Sequence, residues 1–491
     1  MGRKFGVILL TAALAIAALN PAQGAGSSAA TSKKYPKSLD KCVQGNEWVI
    51  GYGAHKTLVY LSCGPDGRLH PEQGAAKIDQ KTGKPIIGPL GDTNFTIEYV
   101  NPPTITTKPK TELSSFDANL EPCKIADAGP LGDIQNNRQH HFTVGFPLYP
   151  ERAKLDEKLV VQFVPVDFAD VKGKHSPAVD WAETKKYLAK FWQLQGTKEI
   201  NLDIRIPGEY THLPQKVLYY DLATEFAKTG RPPLGTFSYA RDAIAAIDSK
   251  IDFSDVDVIA VVPPAEATKK QVASFTAEAA EPGRGFKTKE KEIMNLLVSP
   301  NKPKSAFDFL SWAHEFGHML GLSDIRNVRS ASDQDSSPLG VIDLMNSMVA
   351  PELLGWQRFL LGTIYDNQVN CVSKAGTYTS WLTPIEARDK GVKVAVIPTG
   401  KYTAIAIESR RSYGFDSNLG SANRGLFVYQ IDTTIPYGLS PIKVAPSPTA
   451  KDNRLRRDAA LKKGESVTVD GVTITNVESG AFGDVAKIVR N

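Results

Sequence analysis

The chain has 491 residues, 42% hydrophobic and 23% charged. That balance excludes wholesale disorder, collagen-like structure and a multi-span membrane protein, and it leaves room for one to three domains of roughly 150 residues. The formal charge of +5 falls to +3 once Arg3 and Lys4, which lie in a segment expected to be removed, are set aside; such mild basicity predicts no nucleic-acid partner.

Residues 1–24 read as a secretory signal peptide. Arg3 and Lys4 form a basic start, Phe5 to Leu19 is almost wholly apolar, and Pro21-Ala22-Gln23-Gly24-Ala25 supplies a turn and small residues for cleavage. The apolar run is shorter than the roughly 20 residues a span needs, so a secreted, extracellular protein without a membrane span is expected. Four cysteines remain, an even count that favours disulfides in an oxidising compartment. Cys42–Cys63 with Cys123–Cys371 is the simplest of three pairings. No CxxC pair exists to support a cysteine metal site or redox motif.

Residues 25–115 begin with the Ser/Ala/Lys-rich stretch Gly26 to Lys37. Short β-type runs follow at Trp48-Val49-Ile50 and Thr57-Leu58-Val59-Tyr60-Leu61, which predicts a small β-rich module or propeptide. Asn101 to Lys110, rich in Pro, Thr and Lys, reads as a linker. Residues 116–370 alternate strand and helix patterns. Leu159 to Val166 is a buried strand in which Pro165 marks a bulge or an end. Val179 to Gln193 has helical spacing, Ile200 to Ile206 alternates like a strand, Ala240 to Ile247 is helical, and Val256 to Val262 is again an apolar strand. Residues 371–491 turn to β-type segments: Val392 to Ile397, Tyr402 to Ile407, Leu426 to Ile431, Val467 to Val477 and Val485 to Val489. The expected fold class is α+β, a central domain followed by an all-β, sandwich-like domain. The basic stretch Lys451 to Lys463 reads as a solvated loop.

Chemistry concentrates in Ser311 to Asp324, which contains HEFGHMLGLSD. Phe309, Ala313, Phe316 and Leu320 recur at helical spacing, and Ser305 followed by Asp308 fits an N-terminal cap. His314 and His318 differ by about 40° around a helix axis and one turn along it, so both rings can reach one ion. Glu315 projects about 100° from His314, beside the metal rather than on it, where a base for an activated water belongs. Gly321 lets the helix stop and the chain swing back, which returns Asp324 to the metal. Two nitrogens and one carboxylate oxygen suit Zn²⁺ with a fourth position open, the arrangement of a catalytic rather than a structural site. A downstream Glu352 is the alternative third ligand, but Gly321 and Asp324 would then have no role.

Further on, Ile342-Asp343-Leu344-Met345-Asn346 resembles the Met-turn of the metzincin class, with Met345 beneath the metal. HEFGHMLGLSD, then Asp343-Leu344-Met345, then Pro351 to Gly362 together resemble the immune inhibitor A family of secreted bacterial metallopeptidases. Weaker likeness extends to Val164 to Asp170, Ala406 to Arg410 and Gly425 to Asp432. The resemblance implies a metzincin-like catalytic domain, zinc ligands His314, His318 and Asp324, Glu315 as general base, and protein or peptide substrates. Ser323, Ile325 and Arg326 depart from the residues usual around the Asp, and no tyrosine follows Met345 closely enough to name an oxyanion stabiliser.

The expected function is therefore a secreted zinc endopeptidase. The alternative is an inert secreted metal-binding protein that grips extracellular protein or polysaccharide through its β domain. Asp333 and Asp335, within Ser330 to Ser337, are the candidates for Ca²⁺. The remaining histidines, His140 and His141 among them, lack ligand spacing.

Overall fold

The computed structural model describes residues 37, 40–41, 49–52, 58–63, 68–71, 99–129, 141–155, 158–222, 235–268, 270–272, 275–304, 306–326, 338–436, 438–452 and 456–491. The signal segment, Cys42, His140, Ser305 and the Asp333–Asp335 loop lie outside them. Near the N-terminus β1 (Val49–Tyr52), β2 (Leu58–Cys63) and β3 (Leu69–Pro71) form an antiparallel three-stranded sheet. Among the described residues no helix is long and apolar enough to cross a membrane.

The central sheet is built from β4 (Leu159–Asp167), β5 (Leu202–Arg205), β6 (Thr211–His212), β7 (Val258–Val262), β8 (Thr276–Ala279) and β11 (Asn295–Val298), with the small hairpin β9 (Phe286–Lys287) and β10 (Glu292–Ile293) beside it. Its order is β5-β4-β7-β11-β8, and β6 also pairs with β4. β4, β5, β7 and β11 run parallel, and only the edge strand β8 is antiparallel. Parallel neighbours need crossovers: α1 (Pro177–Asp180) and α2 (Ala182–Gln193) lie between β4 and β5, α3 (Gly235–Ile247) between β6 and β7, and β8 to β10 between β7 and β11, after which α4 (Ala306–Met319) follows. The fold is thus mixed α/β with several sheets and few helices, in keeping with the alternation of strand and helix patterns along the central region.

Alternation along the strands explains the layers. Val161, Phe163, Val258 and Ala260 face one core with Trp181, Phe191, Ala313 and Phe316 from α2 and α4. Val160, Val164, Ile259 and Val261 face the other with Tyr239, Ala243 and Ile247 from α3. A parallel sheet covered on both faces reads as continuous apolar sequence, as β4 and β7 do. Pro165 neither bulges nor ends β4. Pairing to β5 stops at Gln162 and pairing to β6 starts at Val166, so the residue without an N–H falls in the gap between the two partners.

After the short helix α5 (Gly355–Leu360) come β12 (Val369–Cys371), β13 (Gly376–Leu382), β14 (Val394–Pro398), β15 (Thr403–Arg410), β16 (Gly425–Asp432), β17 (Ile442–Val444), β18 (Ser466–Val469), β19 (Val472–Gly480) and β20 (Gly483–Arg490). They form two sheets, β12-β14-β15-β16-β17 and β13-β20-β19-β18. Ala395, Ile397, Ile405 and Ile407 meet Ile474, Ala486 and Ile488 between the sheets. Their alternate neighbours Val394, Val396, Ala404 and Ala406 turn the other way and join the core of α2 and α4. The five-stranded sheet therefore belongs to both halves.

The stretch read as a linker is fastened down. Lys110 and Thr111 donate to Glu478, Ser114 pairs with Thr379, and Cys123 bonds Cys371 with Cα atoms 5.8 Å apart. The segment Val467 to Val477 is two strands rather than one. Asp470 and Gly471 both take positive φ, and Val469 pairs with Val472 across them, the Asp-Gly signature of a tight hairpin.

Candidate metal centre

Helix α4 carries the first three residues of the site. Leu310, Ala313, Phe316 and Leu320 are buried against the sheet and α2, which fixes the helix's rotation and turns His314 and His318 the same way. The helix ends at Gly321, whose φ of +94° favours glycine. The Gly321 N–H donates to the His318 carbonyl at 3.0 Å and the Leu322 N–H to the Gly317 carbonyl at 3.0 Å, a Schellman closure. A Cβ at Gly321 would also lie 3.0 Å from Arg152 Cγ. The reversal brings Asp324 back over the helix.

His314, His318 and Asp324 are all buried, and one candidate ligand atom from each lies within 4.8 Å of the others. Asp324 Oδ1 is 3.2 Å from His314 Nε2 and Asp324 Oδ2 is 4.0 Å from His318 Nε2. Bonds of about 2.1 Å at tetrahedral angles separate donor atoms by about 3.4 Å, so the three side chains fit a single small ion. The opposite ring nitrogens are already committed. His314 Nδ1 donates to the Leu344 carbonyl at 3.0 Å, and His318 Nδ1 to the Leu322 carbonyl at 2.8 Å. Each bond selects the tautomer that offers a lone pair at Nε2, as metal-binding histidines require. The Phe142 ring packs on His318 with centroids 4.8 Å apart.

The Leu344 carbonyl belongs to a turn whose floor is Met345. The Met345 side chain is fully buried, and a Cβ on Gly317 would lie 2.8 Å from its sulfur. Gly317, between the two histidines, is therefore bare because the thioether occupies that space. The Ile325 N–H donates to the Met345 carbonyl at 3.0 Å, tying the ligand loop to the same turn.

Burial and charge compete at the site. Burial pushes the Asp324 carboxyl up, but the His314 hydrogen bond and the two imidazole charges outweigh it and hold Asp324 far below the usual carboxylate range. Burial lowers His314, yet its contact with Asp324 leaves it raised. His318 Nε2 lies 4.0 Å from Asp324 Oδ2, and burial leaves it lowered. Glu315 is half-buried beside this group. Its charge acts on both imidazoles.

Glu352 is not part of the site. It is buried in an ion pair with Arg358 and accepts the Phe415 N–H at 2.9 Å. His141 meets Glu151 and stacks on Tyr149. The basic stretch near the C-terminus is only partly solvated: Ala459, Ala460 and Leu461 are buried, and Lys462 donates to the Ala422 and Arg424 carbonyls at 2.6 Å, its pKa lowered to about 8 by burial. Sequence reasoning missed Asp343, which accepts from Met345 N, Leu354 N and Gln357 Nε2. It missed the two carbonyls that orient the histidines too, since a main-chain acceptor leaves no residue type to read. Gly317 did carry a signal, as a glycine in a helix interior costs about 1 kcal/mol and calls for a packing reason. Neither the known protein-family models nor the curated proteins contain a match for this chain.

Proposed function

We propose that the protein is a secreted zinc endopeptidase of metzincin type, as its resemblance to the immune inhibitor A family implies. The carrying observation is the buried group His314, His318 and Asp324, whose two imidazoles are both fixed through Nδ1 and whose donor atoms all lie within 4.8 Å. His314, His318 and Asp324 would hold the ion, and three protein ligands leave a position open for chemistry. Zinc, when bound, supplies Lewis-acid polarisation of the scissile carbonyl and makes water a nucleophile near neutral pH. Glu315 takes the proton from the attacking water on its carboxylate and passes it to the leaving amine nitrogen. Burial, with the Phe142 ring packed on His318, favours the neutral form of that imidazole, while the Asp324 carboxylate opposes it at His314.

The test is cleavage of casein by the purified mature chain, with chelator and after zinc return. Cleavage that chelator abolishes and zinc restores supports the reading. Zinc bound in stoichiometric amount without cleavage supports an inert metal-binding protein instead. Glu315→Gln retains zinc and loses turnover by about 10²–10⁴-fold, whereas His314→Ala loses both zinc and turnover. Full activity in the Glu315→Gln enzyme would remove the general base from the mechanism.

A further inference from the structure

One buried carboxylate connects the metal centre to the C-terminal sheets. Asp343 is fully buried and has a φ of +77°, unusual for a residue other than glycine. Its Oδ1 accepts the Met345 N–H at 2.8 Å and Gln357 Nε2 at 3.3 Å, and its Oδ2 accepts the Leu354 N–H at 2.9 Å. Its own carbonyl accepts the N–H groups of Asn346 at 3.0 Å and Ser347 at 2.7 Å, while its N–H donates to Ala350. The peptide held between Asp343 and Met345 is Leu344, whose carbonyl accepts His314 Nδ1. From Asp343 the connection runs onward. Leu354 and Gln357 belong to the start of α5, whose Gly355 N–H donates to Glu408 Oε2 at 2.6 Å. Glu408, on β15, is fully buried and also accepts Arg410 Nε at 2.6 Å and the Tyr429 hydroxyl at 2.8 Å.

We propose that Asp343 is a positioning residue that sets the orientation of the His314 imidazole from the C-terminal β region, so that this region is part of the metal centre rather than an appendage to it. The inference rests on the reading of His314 as a metal ligand. His318 is oriented from elsewhere: its Nδ1 acceptor, Leu322, comes from the closure of α4 itself. The asymmetry is what makes the role testable: disturbing Asp343 alters one imidazole and spares the other. A mere structural part would move both rings or neither.

The experiment uses the full mature chain with Asp343→Gly and Asp343→Asn. Glycine adopts φ near +77° freely, so Asp343→Gly removes the three acceptor contacts without adding backbone strain. Asparagine tolerates the left-handed region and keeps one acceptor oxygen. Zinc affinity is read by competition with a chromophoric chelator, and the two Nδ1–H signals are read by nitrogen-15 NMR of histidine-labelled, metal-free protein. Zinc affinity is expected to fall about 10–100-fold in Asp343→Gly, the usual effect of losing an outer partner of a ligand, and by less in Asp343→Asn. The His314 signal shifts or broadens while that of His318 stays in place. If Asp343→Gly does not fold, Asp343→Asn decides by the same two measurements. Unchanged affinity with an unchanged His314 signal in a folded variant overturns the proposal, and so does equal movement of both signals. A parent chain that binds no zinc would instead overturn the metal-site reading, and the His314 signal of the metal-free protein would still decide the role of Asp343.

Discussion

Gly317 and Gly321 lie four residues apart in one motif and answer different physical demands. Gly321 is required by its backbone, which turns left-handed to end α4. Gly317 is required by the 2.8 Å that separates a would-be Cβ from Met345 Sδ. Gly317→Val should therefore destabilise the fold by about 1–3 kcal/mol through overpacking, read from the urea midpoint, even though valine is a better helix former than glycine. Protonation supplies another prediction at this scale. Asp324 keeps His314 raised in the metal-free protein, and a proton on the ring competes with the ion for the same lone pair. Metal is thus lost as pH falls, and the loss begins at a higher pH than an ordinary histidine would give. Titration of zinc content against pH checks this, and Asp324→Asn should lower both the affinity and the pH at which His314 charges.

Elements divide into those that local sequence specifies and those that rely on partners. The turn between β18 and β19 is local: Asp470-Gly471 at positive φ suits a two-residue hairpin, and a Cβ on Gly471 would meet nothing within 4 Å. Gly471→Val should accordingly cost about 1–2 kcal/mol in conformational energy alone, measured by thermal unfolding. Helix α5 is the opposite case. It is only Gly355–Leu360, too short to stand alone in water, and it is held by Asp343, Glu408 and the buried Arg358–Glu352 pair. Arg358→Ala leaves the Glu352 carboxylate buried without its cation, so a loss of about 3–5 kcal/mol is expected, checked by the same melting experiment.

At the scale of the molecule, the central and C-terminal halves share a hydrophobic core through the two faces of the β12-β14-β15-β16-β17 sheet. A chain ending at residue 370 would leave Leu353, Leu354 and Trp356 without the valines and alanines of β14 and β15 that cover them, and should give no cooperative unfolding transition by circular dichroism. The Cys123–Cys371 bond spans 248 residues between its ends. Closing so long a loop restricts the unfolded chain strongly, so the paired Cys123→Ser and Cys371→Ser variant should lose about 2–5 kcal/mol. The strap of residues 99–123 reaches both sheets, through Lys110 and Ser114 to β19 and β13 and through Cys123 to β12.

Local pattern alone located the helix that carries His314, Glu315 and His318, the glycine that ends it, the return of Asp324 and the long apolar strands, because each depends on spacing within one or two turns or on continuous burial; the pairing of Cys123 with Cys371, one of three that four cysteines allow, was decided by the fold. Strand direction, the edge placement of β8 and the double-sided burial of the C-terminal sheet were not legible, since a buried parallel strand and a shared sheet face present the same unbroken run of Val, Ile and Ala. Nor could sequence show Asp343 or the Leu322 and Leu344 carbonyls at work. Their roles arise from main-chain groups and from segments far apart along the chain that meet only when α4, the Met345 turn and β15 are packed together.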